Sequence, residues 1–440
     1  MKKASRIFAV VICLAMLLTV SAFAAWDQYQ GNSVHNGQIT DVATPYGTNP
    51  TITNPTLNYS GTGWSGVDTT PVMETVSNVT YSYVVYNGRS NGIQISKINC
   101  NTSTVLWSTQ LSTSSGNQLS SPCLDDDYVY VGVSGSGVYK VNKSTGAATL
   151  LYSVSNQINT PIVKNGNYLY FGTWVGNGTI EGSDSPGRYY QLNLTNLSDV
   201  QSVSSIYHGF YWAGATIVDS TVYFGGDGGY LYYRPAGSGF GTTNDTDIYN
   251  TSIDLSSVSS VTAGNVRSSL CYYNGYLYFT SQGGYLWRYS ISAGTLIYAN
   301  IGGTSTSTPV ISTNGYIYVG SYGSNATKKG VRAILASSFT SNITSATDSK
   351  WVTIYEDNTS TLTGWVQCSV IVYSTNTYDY VYFTTNVSGG KGLCYRFKIS
   401  DKALLKRWET SSGTYTLQGM AACGGYLTFG NDADTFYVIH

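Results

Sequence analysis

Apolar and polar residues alternate along most of this chain, in short bursts separated by turn residues. One phrase recurs: a small residue, often before Pro, then two or three apolar residues. A turn with Gly, Asn or Asp follows, and then aromatic–apolar–aromatic–apolar. Thr70-Pro71-Val72-Met73 leads to Tyr83-Val84-Val85-Tyr86, and Ser121-Pro122-Cys123-Leu124 leads to Tyr128-Val129-Tyr130-Val131. Further copies open at Thr160, Ala215, Ser269, Thr308, Ser369 and Gly419, about 40 to 65 residues apart. The period-2 alternation predicts two strands joined by a tight turn in each copy. Third strands follow at 137–141 and 284–289, and fourth strands at 105–107, 150–152, 296–298 and 405–408.

Four antiparallel strands repeated in tandem predict an all-β β-propeller. One such sheet cannot bury both faces, whereas sheets packed around an axis do so and leave few open edges. The count predicts eight four-stranded blades, with seven as the alternative if the irregular fourth copy is not a blade. The last copy has three strands and ends at Phe436-Tyr437-Val438-Ile439. The surplus strand, Pro55-Thr56-Leu57-Asn58-Tyr59, is expected to complete it and close the ring.

The start of the chain has a different pattern. Lys2, Lys3 and Arg6 precede an apolar run from Ile7 to Val20, and Ala22-Phe23-Ala24 is a small-x-small site. This predicts a signal peptide over residues 1–25, cleaved after Ala24 or Ala25. The apolar run is shorter than the ~20 residues of a membrane-spanning helix. The expected organisation is a signal peptide at 1–25, a lead segment at 26–54 and a propeller at 55–440. The expected location is extracellular, secreted or at the cell surface.

Composition narrows the function classes. Charged residues are 10% of the chain, with 22 Lys+Arg against 23 Asp+Glu. That balance excludes a basic nucleic-acid binder and a charge-rich coiled coil. The 40 Tyr and 48 Gly fit strands and turns. Cys100, Cys123, Cys271, Cys368, Cys394 and Cys423 follow the leader, mostly within apolar runs. Buried thiols are favoured there over a disulfide framework, which export would permit.

Residues 26–37, Trp-Asp-Gln-Tyr-Gln-Gly-Asn-Ser-Val-His-Asn-Gly, resemble the opening of secreted quinoprotein-like (pyrroloquinoline-quinone-like) β-propeller repeat proteins. The repeats resemble that family's blades from 26 to 440. Asn142 replaces the family's Asp before the Thr-Gly turn, and the closing Trp survives at Trp107, Trp408 and Trp351. The resemblance implies a propeller that is either a quinone-dependent dehydrogenase or a relative without cofactor. This chain lacks the adjacent Cys pair of the enzymes and a recognisable Glu/Asn/Asp calcium set, so no cofactor and no metal are assigned.

Candidate chemistry is sparse. His35, His208 and His440 are the only histidines, too few for a Ser/His/Asp argument, and His35 and His440 are read as surface or packing residues. Residues 225–229, Gly-Gly-Asp-Gly-Gly, read as a hairpin turn. Asp125-Asp126-Asp127 and Asn431-Asp432-Ala433-Asp434 read as solvated turns and lack EF-hand spacing. Trp64, Trp212 and Trp365 each precede a first strand, and Trp174 follows a second strand. In a propeller these positions share one face, so the four Trp define the candidate ligand- or partner-binding surface. The competing reading makes each Trp a plug between blades. The insertions at 238–264 and 338–364 are further recognition candidates.

The function expected is a non-enzymatic binding or scaffold module for a protein or glycan at the cell surface. No nucleic-acid partner and no membrane span are expected. The alternative is an extracellular enzyme, either a quinone-dependent oxidoreductase or a polysaccharide-active propeller. An enzyme would gather carboxylates with shifted pKa at the mouth of the ring.

Overall fold

A computed structural model describes residues 25–40, 51–63, 65–114, 119–176, 186–241, 250–258, 261–323, 326–357, 364–377, 379–386, 393–398, 403–409, 416 and 419–440. The expected leader up to residue 24 and Trp64 lie outside them. The alternating segments form eight antiparallel sheets, and helix is confined to one short α-turn and three 3-10 turns among the described residues. In chain order the sheets are sheet 1 (65–112), sheet 2 (123–153), sheet 3 (163–204), sheet 4 (216–254), sheet 5 (271–300), sheet 6 (310–356), sheet 7 (371–409) and sheet 8 (421–439).

The expectation of eight four-stranded blades needs correction. Seven sheets are four-stranded blades, and sheet 1 is broadened to six strands. Its second repeat strand, Val79–Gly88, is ten residues long, and its far end pairs with Ser65–Gly66. Ala25–Trp26 also adds to the inner edge beside Val72–Val76.

Closure by the chain's two ends occurs, but not through Pro55–Tyr59. The closing strand is Ile52–Thr53, with Ile52 opposite Ile439 and Thr53 opposite Val438. Thr51 and His440 exchange backbone bonds of 2.8 and 3.0 Å. Pro55 has no N–H for a ladder, so pairing stops before it. Asn54 Nδ2 caps the carbonyl of Phe436 at 3.1 Å. Leu57 turns inward and shares a core cluster with Tyr437.

The core sits between sheets. Val72, Tyr83 and Val85 of sheet 1 pack with Leu124, Val129 and Val131 of sheet 2, and similar clusters join each following pair. One cluster spans sheets 7, 8 and 1 and so completes the ring. Eight Tyr are among the largest fully buried side chains, including Tyr83, Tyr170, Tyr278 and Tyr318. Their abundance therefore serves packing between faces. Cys100, Cys123, Cys271, Cys368 and Cys423 are buried free thiols.

At the axis, side chains bridge neighbouring sheets. Backbone N–H groups of Thr70, Gly214, Ser269 and Thr308 donate to Ser121 Oγ, Ser269 Oγ, Thr308 Oγ1 and Ser369 Oγ at 2.7–3.0 Å. The small residue that opens each repeat fits where inner strands converge. Residues 26–39 then lie across the centre of the ring. Their backbone or side chains bond to Leu124, Lys164, Ile217, Tyr272, Ile311 and Val372, the inner strands of sheets 2 to 7. Trp26 pairs with Met73 of sheet 1. Gly37 is required in this hub: its φ is +59°, and a Cβ would lie 2.4 Å from Val310 Cγ2. His35 is fully buried between carbonyls, as the packing reading of that residue anticipates.

Candidate functional site

With the hub approaching from the side of the first hairpins, the opposite mouth remains. It is built by the linkers entering first strands and the turns leaving second strands. Trp174 follows the strand Tyr168–Gly172. Its backbone N–H donates to Gln157 O at 3.0 Å, in the linker to the same sheet. Its indole Nε1 donates to Asp227 Oδ2 at 3.0 Å. Asp227 lies in the turn after Thr221–Gly226 and is 2% exposed.

Arg267, in the linker to sheet 5, completes the pair. Nε donates to Asp227 Oδ1 at 2.9 Å and Nη2 to Oδ2 at 2.7 Å. This two-pronged geometry fixes both planes. The guanidinium carbon lies 4.3 Å from the Tyr211 ring centre and 5.8 Å from that of Trp174. Trp174 and Tyr211 meet edge to face at 5.0 Å, and Trp212 leans on Tyr211 at 4.7 Å. Three consecutive sheets thus supply one aromatic–cation–carboxylate cluster. Burial pushes the Tyr211 hydroxyl above its ordinary range, even with Arg267 beside it.

Trp212 has φ +60°, a left-handed conformation unusual for a bulky residue. It remains half-buried beside the fully enclosed Ala213. Asp68 enters the same mouth from the linker to sheet 1 and interacts electrostatically with Tyr211. It is 5% exposed, and Oδ1 has no hydrogen-bond partner among the described residues. Burial, aided by the charge of Asp432, raises its carboxyl to about 8.

Of the four Trp predicted from sequence, the structure brings Trp174 and Trp212 together through Tyr211. Trp365 is half-buried at the entry to sheet 7, where its carbonyl accepts the Asn386 N–H at 2.8 Å. Among the described residues it makes no ring contact with the other two. Trp64 lies outside the described residues. The Gly-Gly-Asp-Gly-Gly segment does form a turn, but its Asp227 is also the carboxylate of the cluster. Asp68, Tyr211 and Arg267 were missed as well. In so lightly charged a chain, an Asp in the turn after one repeat's second strand and an Arg in the linker to the next repeat's first strand are the available signal.

The residues at this mouth do not fit a quinone–metal centre. Arg267 and Trp174 engage both oxygens of Asp227. Among the described residues no three His, Cys, Asp or Glu side chains gather to hold a metal ion. Asp125 instead accepts N–H groups of Asp127 and Tyr128 and the Tyr130 hydroxyl, as a turn residue does. Asp434 pairs with Arg89.

Comparison with known proteins agrees with the architecture. Residues 91–334 match the family model described as outer membrane protein assembly factor BamB. The fold is similar to BamB from Moraxella catarrhalis, at TM-score 0.56 and 14% identity, covering 89% of this chain and 98% of that one. It is similar to a europium-containing methanol dehydrogenase, at TM-score 0.60 and 9% identity, covering 93% and 90%. It is also similar to the computationally designed Ika8 protein, at TM-score 0.55 and 12% identity, covering 87% and 98%. No curated protein matches the sequence.

Proposed function

We propose that this chain, which belongs to the BamB family of quinoprotein-like β-propellers, is an exported, non-enzymatic module that binds a protein partner of the cell envelope. The observation that carries this reading is the Arg267–Asp227 pair held between Trp174 and Tyr211 at the open mouth. Aromatic and Arg side chains on a rigid support are the residues that most often dominate protein contacts. The ion pair keeps Arg267 oriented, and the half-buried Trp174 and Trp212 supply apolar contact area. The description of the matched family concerns outer-membrane protein assembly and lends support to a protein partner.

One observation favours a second reading. Asp68, held protonated near neutral pH at the same mouth, is the type of group that donates a proton in polysaccharide cleavage. The other carboxylate of this mouth, Asp227, has both oxygens engaged by Arg267 and Trp174, so binding is the reading supported best.

The test is saturable binding of the fluorescently labelled chain to cell envelopes of its source organism, with and without prior protease treatment. Binding that protease removes, and that Trp212→Ala and Arg267→Ala weaken at least tenfold, is expected. Protease-resistant binding would point to a glycan instead. Binding indifferent to both substitutions would remove the mouth from the account.

A further inference from the structure

A second site lies on the opposite face, in the groove between sheets 5 and 6. The repeats share a local device there. A Tyr in the middle of a second strand donates its hydroxyl to an acidic or amide side chain. Tyr83 donates to Glu74 at 2.8 Å, Tyr130 to Asp125 at 2.8 Å, Tyr170 to Gln191 at 3.0 Å and Tyr318 to Asp379 at 2.6 Å. Three of these four acceptors are carboxylates. Between sheets 6 and 7 the arrangement is bipartite, because Asn314 Nδ2 also donates to Asp379, at 2.7 Å.

The groove between sheets 5 and 6 repeats the donors without the acceptor. By strand register, Tyr278 occupies the place of Tyr318. Counting back from the aligned second strands, Asn274 corresponds to Asn314, and Gly315 of sheet 6 to Asp379 of sheet 7. Gly315 contributes no side chain, and a cavity of about 410 Å³ opens there, lined by Asn274, Tyr276, Tyr278, Arg288 and Gly315. The Tyr278 hydroxyl has no protein hydrogen-bond partner among the described residues.

Arg288 adds a charge that the sheet 6 site lacks: it stands opposite Tyr278, where Ala333 stands opposite Tyr318. Its guanidinium lies 4.5 Å from the Tyr276 ring centre, and Nη1 donates to the carbonyl of Phe339. Among the described residues no carboxylate pairs with it. A half-buried guanidinium fixed by a ring and a carbonyl, beside an unused hydroxyl, matches a planar anion.

We infer that this groove binds the carboxylate of an acidic sugar, which takes the place that Asp379 fills in the next groove. The carboxylate accepts from the Tyr278 hydroxyl and the remaining Arg288 N–H groups. The ring of Tyr273 and the amide of Asn274 meet the sugar body. A cavity of this size suits one such unit. The inference goes beyond the mouth reading and does not depend on it.

The test is titration of the purified full chain with sodium glucuronate, using glucose as the neutral control and N-acetylglutamate as the peptide-like carboxylate. Saturable glucuronate binding, with glucose at least tenfold weaker, is expected. Tyr278→Phe and Arg288→Gln should each weaken it about tenfold or more, as loss of a charged hydrogen bond does. Gly315→Asp should abolish binding by supplying the missing carboxylate. A Cβ there meets only Leu335, at 3.7 Å, and Asp tolerates the +82° φ better than most residues. Unchanged melting temperatures in Tyr278→Phe and Arg288→Gln would show that the fold is intact. Absence of glucuronate binding, or binding that survives both substitutions, overturns the site. Tighter binding of N-acetylglutamate than of glucuronate overturns the sugar assignment.

Discussion

His35 Nε2 stands 2.8 Å from the carbonyl oxygen of Ala215, which lies 180 residues further along the chain. Its other ring nitrogen is 2.8 Å from the carbonyl of Tyr29. The imidazole thus ties the hub to sheet 4 from the centre of the ring. His35→Ala would leave a cavity and two carbonyls deprived of their contact. The expected cost is about 2–4 kcal/mol, read as a lower denaturation midpoint. A loss below half a kcal/mol would show that the hub does not hold the ring.

Trp212 illustrates a different balance. A bulky residue at φ +60° stores roughly 1 kcal/mol or more of backbone strain. Trp212→Gly should therefore lose little stability, with relief of strain offsetting lost contact with Tyr211, while envelope binding falls at least tenfold. Calorimetry and the binding isotherm together check this. A strongly destabilised but binding-competent variant would make Trp212 a packing plug.

Asp68 gives a pH signature. Its folded-state pKa, about 8, lies above the ordinary value of 3.8 because burial penalises the charge. The folded state therefore holds a proton that the unfolded state releases above pH 4. Stability contributed by this group is complete below about pH 4 and declines as pH rises toward 8. Asp68→Asn should raise the melting temperature at pH 8 and change it little at pH 4. Equal effects at both pH values would contradict a buried, protonated carboxyl.

The Lys143–Glu74 pair, 2.7 Å apart and about nine-tenths buried, joins sheets 2 and 1. Glu74 also accepts the Tyr83 hydroxyl. Glu74→Gln leaves Lys143 without its counter-charge and should cost about 3–5 kcal/mol, whereas Glu74→Leu with Lys143→Met should cost far less. A denaturant series on the two variants checks the difference.

Much of the fold could be read from the sequence because its signal is local. Tyr168-Leu169-Tyr170-Phe171 declares a strand through alternation alone, and eight such phrases declare tandem sheets. Ring closure was legible, but its position was not: Leu57 and Tyr59 look like strand residues, yet Pro55 keeps that stretch off the ladder and leaves the pairing to Ile52. The site was less legible. Trp174 and Trp212 stand out in the sequence because Trp is conspicuous, but Trp365 sits apart from them. Asp227 was hidden among glycines as turn material, and its partner Arg267 is 40 residues away. Only the packing of sheets 3, 4 and 5 creates that pairing. The empty place opposite Tyr278 is visible only when neighbouring grooves are compared in three dimensions.

The most direct test of the central claim is oxidative footprinting of the chain, free and bound to envelopes, with modification read at individual aromatic residues. Protection of the half-buried Trp174 and Trp212, with Tyr128 on the hairpin face unchanged, is the predicted result. Protection confined to the hairpin face, or none at the mouth under saturating binding, would contradict the account.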